Sequence, residues 1–411
     1  MFSAPEPILS LLESKQWMPS IGASYSLGLD GINLPFVTLL TFLVVIASLI
    51  PPLPGEDLRK RAILLLIWEA VLIGGFLAQD YVLFLMFWAA GTMPIYFLIE
   101  PSSDPDRLPT TRSYVLSALV SIVALTVGLL LLSASIDTTA LAAEELAGTI
   151  ITHLAPDTQW WVFLAIFMGC ALRIPIFPFH IWLRLTISHI PVSAGILLVG
   201  GFVPLGIYTL LRFALLLLPD AVTAFTLVLG MAGAVNLLFG ALAALGVDDR
   251  YQKAGYQSMV CAGIALLGLA TNTIGGITGG LYTILALGAV IAFSLTLTYL
   301  ISGQTSLRGW PLVLSGLETA QQLHLPGSPG FIGLSLVFSA VFGHFPRASL
   351  AIIAALFLIA IDYTRHLAGL LEGSHQKQAA KPTDSRETSW RPLLGTGAAA
   401  MLLLGGSLLL G

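Results

Sequence analysis

Ionisable side chains are scarce in the apolar stretches of this sequence, so those that interrupt such stretches are where chemistry can be sought. Glu69 stands in the middle of the run AILLLIWEAVLIGGFLA. Arg173 opens and His180 closes the run Arg173-Ile-Pro-Ile-Phe-Pro-Phe-His180, and Asp362, Arg365 and His366 lie toward the end of another apolar run. A carboxyl in apolar surroundings with a cation nearby can load and release a proton, and an imidazole does so near neutral pH. A guanidinium keeps its proton in a protein and can only bias its neighbours. Glu69 therefore reads either as a proton carrier or as half of a structural ion pair with Arg173. His180 reads either as a proton shuttle or as a hydrogen-bonding plug for interrupted backbone. Asp362, Arg365 and His366 are expected at the membrane boundary.

The elements that hold these residues follow from composition. Of 411 residues, 56% are hydrophobic and 10% charged, against about 25% charged in soluble domains, which leaves the bilayer as the solvent. A net charge of -4 gives no reason to expect nucleic acid. Cys170 and Cys261 are far apart within apolar runs, and no metal, cluster or other cofactor ligand set is present. Walker, nucleophile-elbow and HExxH sequences are absent, which excludes an ATP-driven pump or a hydrolase of those types. The first twenty residues lack the features of a secretory signal.

The fold expected is an all-α polytopic membrane protein of about twelve transmembrane helices, since a span takes about 20 apolar residues. The spans fall near 34–51, 62–78, 81–99, 114–135, 160–179, 193–216, 221–246, 255–271, 276–301, 328–344, 349–370 and 392–410. The stretch Asp137 to Leu154 reads as a surface helix and Gly373 to Trp390 as a polar loop. With these spans, thirteen Lys and Arg fall on one side (Arg59, Lys60, Arg61, Arg107, Arg112, Arg184, Arg250, Lys253, Arg308, Lys377, Lys381, Arg386, Arg391) and three on the other (Lys15, Arg212, Arg347). Basic loops stay cytoplasmic, so both termini are expected outside the cytoplasm.

Two spans are interrupted. Pro175 and Pro178 break the fifth, and Pro326, Gly327 and Pro329 break the start of the tenth; each proline removes a backbone donor. Grouping spans two to six and seven to eleven puts each break fourth in a set of five, which gives two inverted five-helix repeats with a working site expected near the breaks. The chain then divides into 1–61, an N-terminal segment and first span; 62–216 and 217–370, the two repeats; and 371–411, a polar loop and final span. The pairs Gly275/Gly279 and Gly276/Gly280 read as close helix packing.

Several runs carry a family likeness: Ile21-Gly-Ala-Ser-Tyr-Ser-Leu-Gly-Leu-Asp-Gly-Ile-Asn-Leu-Pro35, Glu69 with Phe76-Leu-Ala-Gln-Asp80, Met93-Pro-Ile-Tyr-Phe-Leu-Ile99, and above all Leu172-Arg-Ile-Pro-Ile-Phe-Pro-Phe-His-Ile-Trp-Leu183. Pro191, Tyr208-Thr-Leu-Leu-Arg-Phe213, Leu325-Pro-Gly and Gly330-Phe-Ile-Gly333 follow. Across most of its length the chain resembles the antiporter-like proton-channel subunits of NADH:quinone oxidoreductase, respiratory complex I, of the M or chain-4 type, with the Mrp antiporter subunits more distant. The resemblance implies a fold that starts at the family's third helix, and a place among other membrane subunits in an energy-transducing membrane.

It also implies a row of titrating groups that this chain does not keep. The family's carboxylate after the Trp of the third span falls on Ala89, its lysine before the first break on Arg173, its lysine in the next helix on Pro204, its histidine in the eighth span on Cys261, and its acidic residue after the second break on Leu334. Glu69 and His180 keep the family's residue type. The function expected is an antiporter-like subunit of a proton- or ion-translocating assembly with a degenerate channel and a structural or coupling role, at most a non-catalytic part of an oxidoreductase. The alternative is a free-standing secondary ion or solute transporter that uses Glu69 and His180.

Overall fold

A segment surrounded by hydrocarbon can satisfy its backbone by itself only as a helix, and the apolar runs of this chain take that form. A computed structural model describes residues 11–18, 23–52, 56–99, 107–136, 154–301 and 310–376. Thirteen helices carry most of them: α1 (Leu34–Leu49), α2 (Leu58–Leu77), α3 (Tyr81–Ile99, with a turn at Gly91 and Thr92), α4 (Leu108–Ile136), α5 (Pro156–Arg173), α6 (Ile181–Ile187), α7 (Val192–Leu215), α8 (Pro219–Leu245), α9 (Arg250–Ala270), α10 (Ile274–Ile301), α11 (Trp310–Gln322), α12 (Pro329–His344) and α13 (Pro346–Gln376). Six of these, α3, α4, α7, α8, α10 and α13, contain segments long and apolar enough to cross a bilayer; α1 and α12 are apolar but shorter.

Each predicted span from 34–51 through 349–370 overlaps a helix, the fifth only as far as Arg173. The span predicted at 392–410, the surface helix at 137–153 and the polar loop beyond Gln376 lie outside the described residues.

Two features depart from the sequence reading. The first is a two-stranded antiparallel hairpin ahead of α1, β1 (Leu11–Met18) with β2 (Ala23–Leu29). In Ala-Ser-Tyr-Ser-Leu-Gly-Leu, Ser26 and Gly28 are buried and Ser24, Leu27 and Leu29 less so, and only that last part has the period of a strand. The second is α11, a half-helix preceding the second break. It mixes Glu318, Gln321 and Gln322 with apolar residues, so its composition hides it from a search for uniformly apolar spans.

Local chemistry starts and stops these helices. Asp57, Asp80 and Asp249 cap α2, α3 and α9 by accepting backbone N–H groups, which satisfies donors that the first turn leaves open. Proline begins α5, α8, α12 and α13, where its missing N–H is not needed. Close packing uses glycine at three of the four expected positions, Gly276, Gly279 and Gly280, but not at Gly275, where a Cβ would meet nothing within 4 Å; a Cβ on Gly279 of α10 would stand 2.8 Å from the Val337 nitrogen and 2.9 Å from the Gly333 oxygen of α12. Helix α7 is buried along its whole length and contains two π turns, Leu198–Phe202 and Leu210–Leu215.

The family-like runs near the start of the chain and at the end of α7 meet in one joint. Arg212 at the end of α7 bonds the Asp30 carboxylate and, at 2.7 Å, the Gln79 side-chain oxygen. Asn33 donates to the carbonyls of Gly28 (2.9 Å) and Phe76 (3.1 Å), and Tyr208 donates to the Phe76 carbonyl at 3.0 Å. Asp80 also accepts the Ser24 N–H at 3.1 Å. These residues fasten the hairpin to the α2–α3 corner.

Candidate functional site

The first break is made of backbone whose freed groups are taken up by side chains. Helix α5 ends at Arg173 because Pro175 cannot continue the hydrogen-bond ladder. The Leu172 carbonyl accepts from the Trp182 indole at 2.6 Å. The Phe177 N–H donates at 3.0 Å to the side-chain oxygen of Asn236 on α8, whose amide donates to the Met259 carbonyl of α9 at 2.9 Å. Trp182 and Asn236 therefore plug the break, and His180 does not. His180 is buried, its Nδ1 has no hydrogen-bond partner, and its ring packs 4.8 Å from Phe239 and 5.8 Å from Phe177 between ring centroids.

Arg173 is 2% exposed. Its guanidinium carbon lies 3.4 Å from the centroid of the Trp88 ring and 4.0 Å from that of Phe202, so it is held against two aromatic rings. Nη2 donates to the Trp88 carbonyl at 2.8 Å, while Nη1 has no partner. Glu69 is not beside it. Glu69 stands partly exposed on α2, flanked by the exposed Leu66 and Ile67, and makes no ion pair or hydrogen bond among the described residues. The Glu69–Arg173 pair considered from the sequence is thus not formed here. Ala89 is half-buried next to Trp88, and Pro204 is buried within α7. Cys261 and Leu334 are buried in apolar packing. Pro178, Pro326 and Gly327 are exposed at the two breaks, Pro175 is buried, and Pro329 begins α12.

A second cluster was not singled out from the sequence. Glu318, on α11 just before the second break, accepts the Ser294 hydroxyl of α10 at 2.5 Å and lies 3.8 Å from Arg250 of α9. Lys253, also of α9, bonds the carboxylate of Asp362 of α13 at 2.6 Å. Glu318 and Asp362 are 5% and 6% exposed, so Asp362, expected at the membrane boundary, is buried by neighbouring helices at the position it takes. These groups and Tyr363 line a small cavity among α9, α10, α11 and α13. Two cations face two carboxylates across it, an arrangement in which every charge can be offset at short range. One signal in the sequence did point here: Glu318, like Arg173, is an ionisable residue on the half-helix that leads into a proline break. Arg250 and Lys253 were counted as loop charges because they stand at the start of α9.

No group of three or more potential metal ligands occurs among the described residues.

Residues 78–309, more than half of the chain, match the model of the family described as NADH:quinone oxidoreductase/Mrp antiporter, TM. The chain belongs to this family. Chain 4 1 of the NAD(P)H-quinone oxidoreductase of Synechococcus sp. (strain JA-3-3Ab) is 30% identical to it over 372 residues, which span 85% of this chain and 69% of the relative. Subunit M of the F(420)H(2) dehydrogenase of Methanosarcina mazei is 25% identical over 98% of this chain and 84% of its own length. A chain in the structure of respiratory complex I from Thermus thermophilus with bound NADH has the same fold, with a TM-score of 0.80 at 22% identity over 96% of this chain and 84% of that one. The protein is therefore an integral membrane protein of the complex I antiporter-like type, and homologues of this type are subunits of multi-subunit membrane complexes. Within the family match lie the first break, Arg173, His180 and the α9 part of the ionic cluster, whereas Glu69 and Glu318 fall outside it.

Proposed function

We propose that this chain is the antiporter-like subunit of a complex I- or Mrp-type ion-translocating assembly in which the relay through the first five-helix unit is closed and the chain acts by packing against, and coupling to, neighbouring membrane subunits. The observation that carries this reading is the state of Arg173. A titrating lysine is expected at its position from the family likeness. The residue present keeps its proton, is stacked on Trp88 and Phe202, and donates to the Trp88 carbonyl. Ala89, beside that tryptophan, brings no carboxylate, and Pro204 brings no amine. General acid–base transfer needs groups that titrate near working pH, and this stretch of the path offers none. Glu69, partly exposed and with no ion pair or hydrogen bond among the described residues, is then a contact for a neighbouring subunit. The cluster of Glu318, Lys253, Asp362 and Arg250 is the ionisable element that the second unit retains, and it ties α9, α11 and α13 together.

The arrangement of helices supports the two-unit division. Helices α2, α3, α4, α5 with α6, and α7 fill 62–216, and α8, α9, α10, α11 with α12, and α13 fill 217–370, the broken helix being fourth in each. The joint between Arg212 and Asp30, close to the hairpin that carries Lys15, supports the sidedness in which Lys15 and Arg212 share the non-cytoplasmic face along with the termini. The deciding measurement is pH-driven proton flux in vesicles reconstituted with the purified chain. Flux at the level of protein-free vesicles is expected. Robust flux that Glu69→Gln or Glu318→Gln abolishes would overturn the reading.

A further inference from the structure

Helix α2 turns one stripe outward. Ala62, Ile63, Leu66, Ile67 and Ala70 are exposed, and steps of three and four residues put them on a single face of the helix, opposite the buried Leu65, Trp68 and Leu72. Glu69 stands at the margin of that stripe. The residues three and four positions from it on α2, Leu65, Leu66, Leu72 and Ile73, are all apolar, so its own helix offers the carboxylate nothing to bond.

Depth makes this consequential. Glu69 is the twelfth of the twenty residues of α2, about 16 Å from the start of a helix about 30 Å long, and the hydrocarbon layer is about as thick as that helix is long. From Ala62 to Leu77 it is the one charged residue. Arg59, Lys60 and Arg61 stand at the start of α2, about 12 Å or more back along its axis, and Arg61 is paired with Glu56. Other exposed helices differ. Ser113 to Ile136 in α4, Ala221 to Leu245 in α8 and Ser349 to Ile361 in α13 contain no charged residue, and their outer sides suit lipid chains. Charged groups within a bilayer face the bundle interior or pair with one another. Glu69 keeps contact with the outside and has no ion pair or hydrogen bond among the described residues.

Resting on the subunit reading above, we propose that the exposed stripe of α2 seats a transmembrane helix of a neighbouring subunit, and that this helix carries a lysine or arginine at mid-membrane depth that pairs with Glu69. Charge complementarity selects this occupant: lipid, or a helix without a cation, leaves the carboxylate in hydrocarbon. The apolar stretch 392–410 of this chain, outside the described residues, contains no basic residue, so the cation belongs to another chain. Ala62 and Ala70, small residues on the same stripe, let a second backbone come close. A protonated Glu69 facing lipid is the competing state.

The test uses the assembly purified in mild detergent from native membranes through a tag on this chain, with a photo-reactive diazirine amino acid in place of Leu66 or Ile67. Irradiation in the membrane is expected to join these positions to a transmembrane peptide of another subunit that holds a lysine or arginine within two helical turns of the cross-link. Under a wash that keeps the wild-type assembly intact, Glu69→Gln should lower recovery of that subunit about tenfold, as expected for a desolvated charge pair that loses one partner. Glu69→Lys should abolish recovery, and changing the partner's cation to glutamate alongside Glu69→Lys should restore it. Wild-type recovery with Glu69→Lys, cross-links to lipid alone in an intact assembly, or a joined peptide without a basic residue would overturn this proposal and leave the subunit reading standing. A chain recovered with no other subunit would overturn both.

Discussion

Arg173 and Lys253 are two cations of the same helical body, held in opposite ways. Arg173 has aromatic rings against it, a carbonyl on one nitrogen and no carboxylate among the described residues. Lys253 has the Asp362 carboxylate at 2.6 Å, in a cavity it shares with Arg250 and Glu318. The difference follows from residue type. A guanidinium is planar and weakly hydrated and stacks on rings, whereas an ammonium is a compact point charge that calls for an anion. The surroundings of the first break therefore fix a charge in place, and those of α9, α11 and α13 keep charges that can be exchanged. On the function proposed above, that contrast places the ionisable chemistry in the second unit.

The contrast is most exposed to failure at Lys253. Lys253→Met leaves Asp362 buried and unpaired, and removing one partner of a buried pair lowers stability by about 3–5 kcal/mol. Unfolding in detergent should show a loss of that size, partly recovered by adding Asp362→Asn; a change too small to measure would mean the pair is hydrated and not interior. Asn236→Ala comes next. It orphans the Phe177 N–H and the Met259 carbonyl and should lower stability by about 1–3 kcal/mol, read in the same assay. Arg173→Lys keeps the charge and loses the planar stack, so a destabilisation of about 1 kcal/mol is expected. A lysine that is neutral in this assay would show that charge alone, and not stacking, holds the site.

The smallest expected effect is the sharpest. Glu69→Gln should change stability by no more than about 0.5 kcal/mol. Combined with Arg173→Gln in a double-mutant cycle, it should show coupling within about 0.5 kcal/mol, the limit of additivity for sites that do not touch. Coupling well above that would restore the ion pair between α2 and α5.

Much of this architecture is written in hydropathy. The breaks at Pro175 and Pro326, the close approach at Gly279 and the course of α1 to α10 follow from apolar length, proline and small residues, because the bilayer forces each of those local rules to hold on its own. The charged site was less readable, since charge pairing is a property of tertiary contact. Asp362 and Lys253 are 109 residues apart, and nothing in the run around either announces the other. Glu318 hid within the polar second half of α11, whose sequence resembles a loop as much as a helix. Arg173 was legible as a residue that cannot relay protons. Its partner was not, because Glu69 is the only carboxylate in a nearby span and the eye supplies an ion pair where the fold supplies indole and phenyl rings. The family-like residues Asp30, Gln79 and Arg212 turned out to be fasteners of the hairpin.

The carboxamide of Asn236 grips the tip of the first break with its oxygen and the spine of α9 with its nitrogen. It works as a rivet through two plates: if the bent segment swings, either α9 is dragged along, and Arg250 and Lys253 with it, or the rivet lets go. Strain applied at one half of the molecule thus has a mechanical route to the charges in the other, with no proton needed to carry the message.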